Sequence, residues 1–369
     1  MNHNTDSTRD LELLSELVLT PNLSPDSRDS AVSRWLQHHS SDVTEADISS
    51  LESLASSNHV ILRAFAPLQQ IFESHVRNRE AEWLSHAIGR EQARIQHALN
   101  CLEQVCMTLE GHGCPVTIIK SLDHWPDLGS DLDLYTDADS TKLVDVMKSA
   151  FQAKLADRSW GDRLANKWNF IVPGLPELVE VHVGRLGQTG EQTAITRSVA
   201  DRACQVNLQS HIFRVAAPED RIVISTLQRM YRHFYVRLCD IVDNTQLLDS
   251  YAVDFAYLHS FGSIAGIWEG IATYLTIISE YVEAYRGDRA PLPSFVTGSA
   301  KFRAEQVQFR HDFLRVPILP HSLNLYAYEF KSLVLKGELR NSLRLSLLPC
   351  LATAAALGQK ITGSDKGIW

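Results

Sequence analysis

The sequence predicts an α+β protein, in which a small mixed sheet lies between two helical regions. Residues 71–110 contain almost no Gly or Pro, and their apolar side chains recur at helical spacing. Runs typical of strands follow from residue 115, and helical patterns return from Pro218, a proline suited to a first helical turn. We expect an N-terminal helical region over 1–114, a sheet core over 115–215, a C-terminal helical domain over 216–357 and a loose tail over 358–369.

The helical regions are predicted from amphipathic stretches and the turn formers that end them. A Gly-His-Gly sequence at 111–113 ends the long stretch that begins at Ile71. In the C-terminal part, helical patterns reach Tyr285, a linker is expected at 286–294, and helix resumes to about Leu357. Shorter N-terminal helices are expected at Asp10–Leu19, Ala31–His38 and Ser50–Ser57.

The sheet is predicted from β-branched and alternating segments. The expected strands are Pro115–Ile119, Asp131–Thr136, Trp168–Val172 and Leu178–Val183. Asp131–Thr136 alternates strictly between polar and apolar residues. The last two strands flank a Pro-Gly-Leu-Pro turn at 173–176, which favours a hairpin. A helix is expected at Thr141–Phe151.

The formal net charge is −9. This acidic balance disfavours long nucleic acid as the main ligand, because phosphate binding needs a basic surface. The charge is uneven, since residues 1–60 hold ten acidic against three basic residues and residues 301–369 hold ten basic against five acidic. Two solvated faces account for this pattern; the alternative is a basic C-terminal surface that helps to bind an anionic substrate.

Several absences from the sequence predict a cytoplasmic protein without a membrane partner. The six cysteines form no CxxC pair and are expected to be reduced thiols. The polar, acidic N-terminus does not resemble a secretory signal. No apolar run reaches the roughly 18–20 residues of a membrane span. The histidines lack zinc-ligand spacing, so no zinc site is predicted.

Asp131 and Asp133 form the pattern with the clearest chemical meaning. Because side chains alternate along a strand, both carboxylates face one side while Leu132 and Leu134 face the core. Neighbouring carboxylates repel each other unless a cation lies between them, and hard divalent ions prefer oxygen ligands. The pair predicts a Mg²⁺ or Mn²⁺ site; the alternative is a strand edge with two solvated acids.

A second acidic strand lies further along the chain. Glu180 and His182 share one face of Leu178–Val183. Glu180 is the expected third carboxylate, and three carboxylates can hold two metal ions that orient an attacking hydroxyl and stabilise the entering and leaving oxygens.

This order of motifs resembles the polymerase-β-like nucleotidyltransferase superfamily, and most closely its group of bacterial uncharacterised nucleotidyltransferases. Members have N-terminal helices, a strand that ends in Lys-Gly (here residues 120–121) and a strand with alternating aspartates (here 131–136). A strand with an acid two residues before a His follows (here 180–182), and then a helix with a His, Arg and Asp pattern (here 232–243). The likeness covers most of the chain.

The resemblance implies a metal-dependent enzyme that transfers a nucleoside monophosphate from a nucleoside triphosphate (NTP) to a hydroxyl and releases pyrophosphate. It implies that Asp131 and Asp133 bind Mg²⁺ or Mn²⁺ and that Glu180 is the catalytic base or third metal ligand. Ser121 departs from the family's usual Gly at a turn near the phosphates, but it still offers a backbone N–H and a hydroxyl. Glu180 replaces the more usual Asp, which lengthens the arm.

Further residues are candidates for binding nucleotide or substrate, each with a structural alternative. Lys120 and Ser121 end a strand, where Lys120 would meet the triphosphate as a point charge or lie on the surface as an ordinary lysine. Gly129 and Ser130 would donate to phosphate or form a plain turn. His182 would orient a carboxylate or contact substrate, or be a half-buried strand residue.

His233, Arg237 and Asp240 are spaced so that one helix face would present all three. In the functional interpretation Arg237 binds a nucleotide phosphate, and His233 and Asp240 lie near the substrate. The alternative is an Arg237–Asp240 ion pair that ties the helix to its neighbour.

The acceptor is predicted from the overall charge, which favours a small molecule, peptide or protein; the basic C-terminal part keeps tRNA as a candidate. Two other functional classes remain open. A glycosyltransferase also binds nucleotide diphosphates through an Asp-x-Asp motif, but it needs a larger α/β domain before that motif. The second is an inactive relative that acts as a binding or regulatory subunit.

Overall fold

The computed structural model describes residues 3–20, 25–38, 43–250 and 252–349, which form a mixed α/β architecture. The helices of this part of the chain are α1 (His3–Leu19), α2 (Pro25–His38), α3 (Glu45–Ser57), α4 (Ile61–Ser74), α5 (Asn78–Gly111), α6 (Ser140–Phe151), α7 (Trp160–Leu164), α8 (Thr193–Asp201), α9 (Pro218–Thr226), α10 (Leu238–Asp249), α11 (Phe255–Ala265), α12 (Trp268–Arg286), α13 (Ser294–Ser299), α14 (Leu323–Leu335) and α15 (Leu339–Ser346). None of them is both long and apolar enough to cross a membrane.

The strands form two sheets. They are β1 (Thr117–Ile118), β2 (Asp131–Thr136), β3 (Lys154–Leu155), β4 (Lys167–Ile171), β5 (Leu178–Val183), β6 (Cys204–Leu208), β7 (His211–Val215), β8 (Tyr235–Val236), β9 (Gln308–Arg310) and β10 (Phe313–Arg315). A seven-stranded sheet has the order β3-β4-β5-β2-β1-β7-β6, and a three-stranded sheet has the order β8-β10-β9. In the larger sheet β2 runs parallel to β5 and antiparallel to β1, while β4 runs antiparallel to β5.

Two hydrophobic cores meet along the long helix α5. Leu84, in its first half, belongs to a core that also contains α1 to α4 and α9 to α12. Leu99 and Leu102, in its second half, pack with the inner residues of the seven-stranded sheet. The hydroxyls of Ser15 in α1 and Tyr281 in α12 form a hydrogen bond of 2.7 Å, which links the N-terminal helices to those that follow the sheet. The helix α5 therefore ties the sheet to a helical body built from segments on both sides of it in the sequence.

Several elements confirm the sequence predictions. β2 and β5 have the predicted bounds, and β4 and β5 form the predicted antiparallel hairpin. α9 begins at Pro218 as predicted, and α6 begins one residue earlier than the predicted Thr141. The predicted tail at 358–369, and residues 350–357 of the predicted C-terminal domain, lie outside the described residues.

Two predictions about the helical regions were wrong. The stretch from Ile71 is not one helix, because the chain turns between α4 and α5, where Val76 has φ of 59°. Apolar spacing continues in both helices, so periodicity does not reveal this break. The region after Pro218 is not wholly helical either, since it contributes β8 to β10. These strands have two or three residues each, too few for an alternating pattern to be recognised.

The segment between β1 and β2, residues 121–130, is here called the strap. It is fixed by Asp127, whose side chain is buried. The Asp127 carboxylate accepts the backbone N–H groups of Leu62 at 2.7 Å and Arg63 at 3.2 Å. These belong to the first turn of α4, whose own N-cap residue makes no side-chain hydrogen bond. The strap thus provides the cap that α4 lacks, with a negative charge at the positive end of the helix dipole.

We expect Asp127→Ala to lower the free energy of unfolding by about 1–3 kcal/mol, because two buried N–H groups lose their acceptor. Urea denaturation measures this loss. Asp145→Ala, at an exposed position of α6, is the matched control and should leave stability nearly unchanged. Equal stability of the two variants would contradict the capping role.

Candidate active site

A polar cavity of about 640 Å³ opens beside the parallel strands β2 and β5. Nine of the residues singled out in the sequence line it: Lys120, Ser121, Gly129, Ser130, Asp131, Asp133, Glu180, His233 and Arg237. Six more residues complete its lining: His59, His124, Lys167, Gln228, Arg229 and Arg232. Most of these side chains are charged or can carry charge, so the cavity suits a highly polar ligand.

The carboxylates of the cavity come from adjacent positions of two strands. In the parallel pairing of β2 with β5, Asp133 lies directly opposite Glu180. Asp131 lies at the first position of β2 and is more exposed than Asp133. The Nζ atom of Lys120 lies 2.7 Å from Oδ1 of Asp133. Burial raises the pKa of the Asp133 carboxyl to about 7, against the opposing effect of Lys120.

Glu180 has partners for both of its carboxylate oxygens. Oε2 accepts a hydrogen bond of 2.9 Å from Nζ of Lys167, and Oε1 lies 3.1 Å from Nε2 of His182. Burial by itself would raise the pKa of Glu180, but the His182 hydrogen bond and the Lys167 charge outweigh it and hold the pKa well below its usual range. Burial lowers the pKa of His182 to about 4, so its imidazole is neutral near pH 7. Nε2 therefore carries the ring hydrogen and donates a hydrogen bond to Glu180.

Ser121 begins the strap, and its hydroxyl joins this end of the strap to β2. Its Oγ accepts the backbone N–H of Asp133 at 2.6 Å and donates to the carbonyl of Asp131 at 3.2 Å. A glycine could make neither contact. The serine hydroxyl thus holds the backbone of both aspartates, which explains why the side chain is tolerated here.

The end of the strap is held from outside the cavity. Arg94 of α5 donates to the carbonyl of Gly129 at 3.3 Å and to that of Leu128 at 2.9 Å. Oγ of Ser130 lies 3.4 Å from Oδ2 of Asp131. Gly129 and Ser130 therefore form an anchored turn, and both also line the cavity.

A buried ionic network fixes the middle of the strap to α10. His124 pairs through Nδ1 with Asp243, and Asp243 also pairs with Arg63 at 2.7 Å. Cys239 Sγ lies 3.9 Å from Nε2 of His124. Although a His, a Cys and an Asp lie close enough to hold a metal ion, the Arg63 guanidinium already neutralises Asp243. We therefore interpret the cluster as an ion network that positions the strap.

The prediction that His233, Arg237 and Asp240 share one helix face was wrong. His233 ends a turn of π-helix, Leu227–His233, and Phe234 has a left-handed backbone with φ of 55°. Arg237 follows β8 and precedes α10. The three residues are spaced as in a helix, but the end of the π-turn and the short strand β8 lie between them, so no single helix carries all three. π-Turns of this kind occur often at functional sites.

The structure brings two of these three residues into the cavity. His233 and Arg237 line it, whereas Asp240 is not among its lining residues. Asp240 pairs with Arg229 at 2.7 Å and accepts the backbone N–H of Arg237 at 2.8 Å. The predicted alternative, an ion pair between the Arg237 and Asp240 side chains, is therefore replaced by an Arg229–Asp240 pair. Nη1 of Arg237 lies 2.6 Å from Nε2 of His59.

A second, more apolar cavity of about 430 Å³ adjoins the first. The two share Lys120, Gln228 and Arg232 in their linings. His182 lines this second cavity rather than the first. Its apolar lining consists of Ile119, Leu186, Ile224 and Leu227. The charged site thus continues into a space suited to a less polar group.

Sequence reasoning missed six of the lining residues: His59, His124, Lys167 and, from the π-turn, Gln228, Arg229 and Arg232. Lys167 carried a usable signal, because it immediately precedes the predicted strand Trp168–Val172 that pairs with the Glu180 strand. The π-turn residues carried none, since a helical pattern gives no sign of the extra residue that rotates their side chains.

The donor set fits a hard divalent ion. One ligand atom from each of Asp133, Glu180 and His182 lies within 4.8 Å of the others, and Asp131 lies on the same strand face. Burial raises the pKa of the Asp131 carboxyl, with the Glu180 charge acting in the same direction. Carboxylates that destabilise one another in this way gain from a shared cation.

Comparisons with known proteins leave the family open. No protein-family model matches the chain, and no curated protein matches it. A solved structure, the crystal structure of an antigenic nucleotidyltransferase-like protein from Paracoccidioides brasiliensis, aligns at 15% identity with a TM-score of 0.29. The alignment covers 43% of this chain and 78% of that one.

We expect Ser121→Gly to lower the free energy of unfolding by about 1–3 kcal/mol, because the buried N–H of Asp133 loses its acceptor. Thermal or urea unfolding measures the change. Ser149→Ala, at an exposed position of α6, is the control and should leave stability nearly unchanged. A Ser121→Gly variant as stable as the wild type would contradict the bridging role of the hydroxyl.

Proposed function

We propose that this protein is a metal-dependent nucleotidyltransferase, which moves a nucleoside monophosphate from an NTP to a hydroxyl group with release of pyrophosphate. The observation that carries the proposal is the composition of one cavity. Carboxylates at adjacent positions of two parallel strands share that cavity with two lysines and three arginines. Such a site can hold a divalent ion on its acidic side and polyphosphate on its basic side.

The residues have distinct roles in this proposal. Asp131 and Asp133 hold the divalent ion, Mg²⁺ or Mn²⁺, with Glu180 beside them. A bound ion would neutralise charge on the reacting phosphate and orient the attacking hydroxyl. Lys120 and Arg237 hold the outer phosphates, assisted by the backbone of the strap at 129–130. Positioning and electrostatic stabilisation account for most of the catalysis of phosphoryl transfer, so these groups suffice.

The adjoining cavity supplies room for the nucleoside. Its apolar walls, Leu186 and Ile224 among them, suit the face of a base. Lys120 and Arg232 line both cavities, so the space for the base is continuous with the space for the phosphates. The acceptor would be a small molecule, a peptide or a protein, with tRNA as a further candidate. Its hydroxyl proton would pass to a carboxylate, Glu180 or Asp133.

Incubation with labelled NTPs and a cell extract tests the proposal. With an NTP labelled at its α-phosphate, we expect the label to appear in an acceptor molecule when Mg²⁺ is present. Asp133→Asn should lower the rate at least about a hundredfold, because it removes charge from the metal site. Asp157→Asn, at an exposed position, should transfer at the wild-type rate. Equal rates in the two variants would exclude the assigned carboxylate role.

Arg237→Ala should weaken NTP binding by roughly ten- to a hundredfold, because a charged hydrogen bond to phosphate is lost. Calorimetry with a non-hydrolysable NTP measures the dissociation constant. Arg289→Ala is the control, since this arginine forms an exposed ion pair with Glu283. An unchanged dissociation constant in Arg237→Ala would remove Arg237 from the nucleotide site.

One observation favours a second candidate function, a nucleotide-binding protein without catalysis. Lys120 and Lys167 already pair with Asp133 and Glu180, so the carboxylates have counterions without a metal. Nucleotide binding that is equally tight with Mg²⁺ and with a chelator, and no transfer of label, would favour this candidate. A glycosyltransferase has less support, because the described residues ahead of β1 form helices α1 to α5 rather than an α/β domain.

A further inference from the structure

We infer that the ammonium group of Lys167 occupies one of the cation positions beside the carboxylates, so that the site holds a single divalent ion, bound by Asp131 and Asp133. The inference rests on the proposed function, because it concerns the same metal site. It differs from the sequence expectation, in which three carboxylates hold two ions.

Lys167 reaches the carboxylates from the neighbouring strand. It lies opposite His182 in the antiparallel pairing of β4 with β5, and residues directly opposite each other share one face of a sheet. His182 and Glu180 lie on the face that carries Asp133, so Lys167 projects from that face too. Its Nζ is 2.9 Å from Oε2 of Glu180.

The ammonium group is held from its other side by Asp162. Nζ of Lys167 lies 2.9 Å from Oδ1 of Asp162. Oδ2 of Asp162 accepts the backbone N–H of Ser159 at 2.9 Å, in a capping box at the start of α7. Lys167 is also buried, at 7% exposure. A buried ammonium between two anchored carboxylates is a fixed part of the site, because breaking either pair would leave an uncompensated charge.

Lys120 is held less firmly. Its side chain is 17% exposed against 9% for that of Lys167, and it lines both cavities. An incoming ion can therefore displace Lys120 from Asp133 toward the phosphates, whereas it cannot displace Lys167 in the same way.

Each oxygen of Glu180 already accepts a hydrogen bond, one from Lys167 and the other from His182. We therefore assign the ion to Asp131 and Asp133, since Lys120, which pairs with Asp133, can be displaced.

The test counts Mn²⁺ ions by electron paramagnetic resonance (EPR) on the full chain, with a non-hydrolysable NTP present. We expect one Mn²⁺ per chain in the wild type, without the spin coupling of a close ion pair. Lys167→Met keeps the length of the side chain but removes the charge, so this variant should bind two coupled ions. Lys148→Met, at an exposed position of α6, removes one positive charge away from the site; it is the control and should bind one.

The outcomes separate the inference from the proposed function. Two coupled ions in the wild type, or a single ion in folded Lys167→Met, would overturn the inference and leave the proposed function standing. No Mn²⁺ binding by the wild type would overturn both. If Lys167→Met does not fold, the double variant Lys167→Met/Asp162→Asn removes both partners of the ion pair and should bind two ions, and the wild-type count decides independently.

Discussion

The site depends on the register of two parallel strands. β2 and β5 are paired so that Asp133 lies beside Glu180. A shift of either strand by one residue would turn its carboxylates into the core, because side chains alternate between the two faces. The fully buried Leu132 and Val181 hold the register from the opposite face. The hydrophobic core and the acidic cavity are thus two faces of one pairing.

Placing several carboxylates together requires compensating charge, and the surrounding elements supply it. Lys120 comes from the end of β1, Lys167 from β4, and Arg229, Arg232 and Arg237 from the π-turn and the start of α10. The strap joins these parts, since Asp127 caps α4 and His124 pairs with Asp243 of α10. Because helices from both ends of the chain share one core, they fix the basic wall relative to the sheet.

The sequence predicted what depends on local pattern. The strands of Asp131, Asp133 and Glu180 have the predicted bounds, because strand alternation is a local pattern. The ion pair between Lys167 and Glu180 was not predicted, because it depends on the register between β4 and β5. The trio His233, Arg237 and Asp240 was placed on one helix because the π-turn and β8 have no recognisable signal. The structural role of Ser121 could not be predicted, because its hydroxyl bonds to the backbone of β2 ten and twelve residues further along the chain.

In the proposed function, the acidic side of the cavity binds a divalent ion against the phosphates of an NTP. Phosphorus NMR of a non-hydrolysable NTP, with the protein and substoichiometric Mn²⁺, tests this arrangement. Paramagnetic broadening depends on a short distance between the ion and the phosphorus atoms. We expect the protein to increase the broadening of all three phosphorus signals and Asp131→Asn/Asp133→Asn to abolish this increase. Broadening that is the same with the wild type, the double variant and no protein would contradict it.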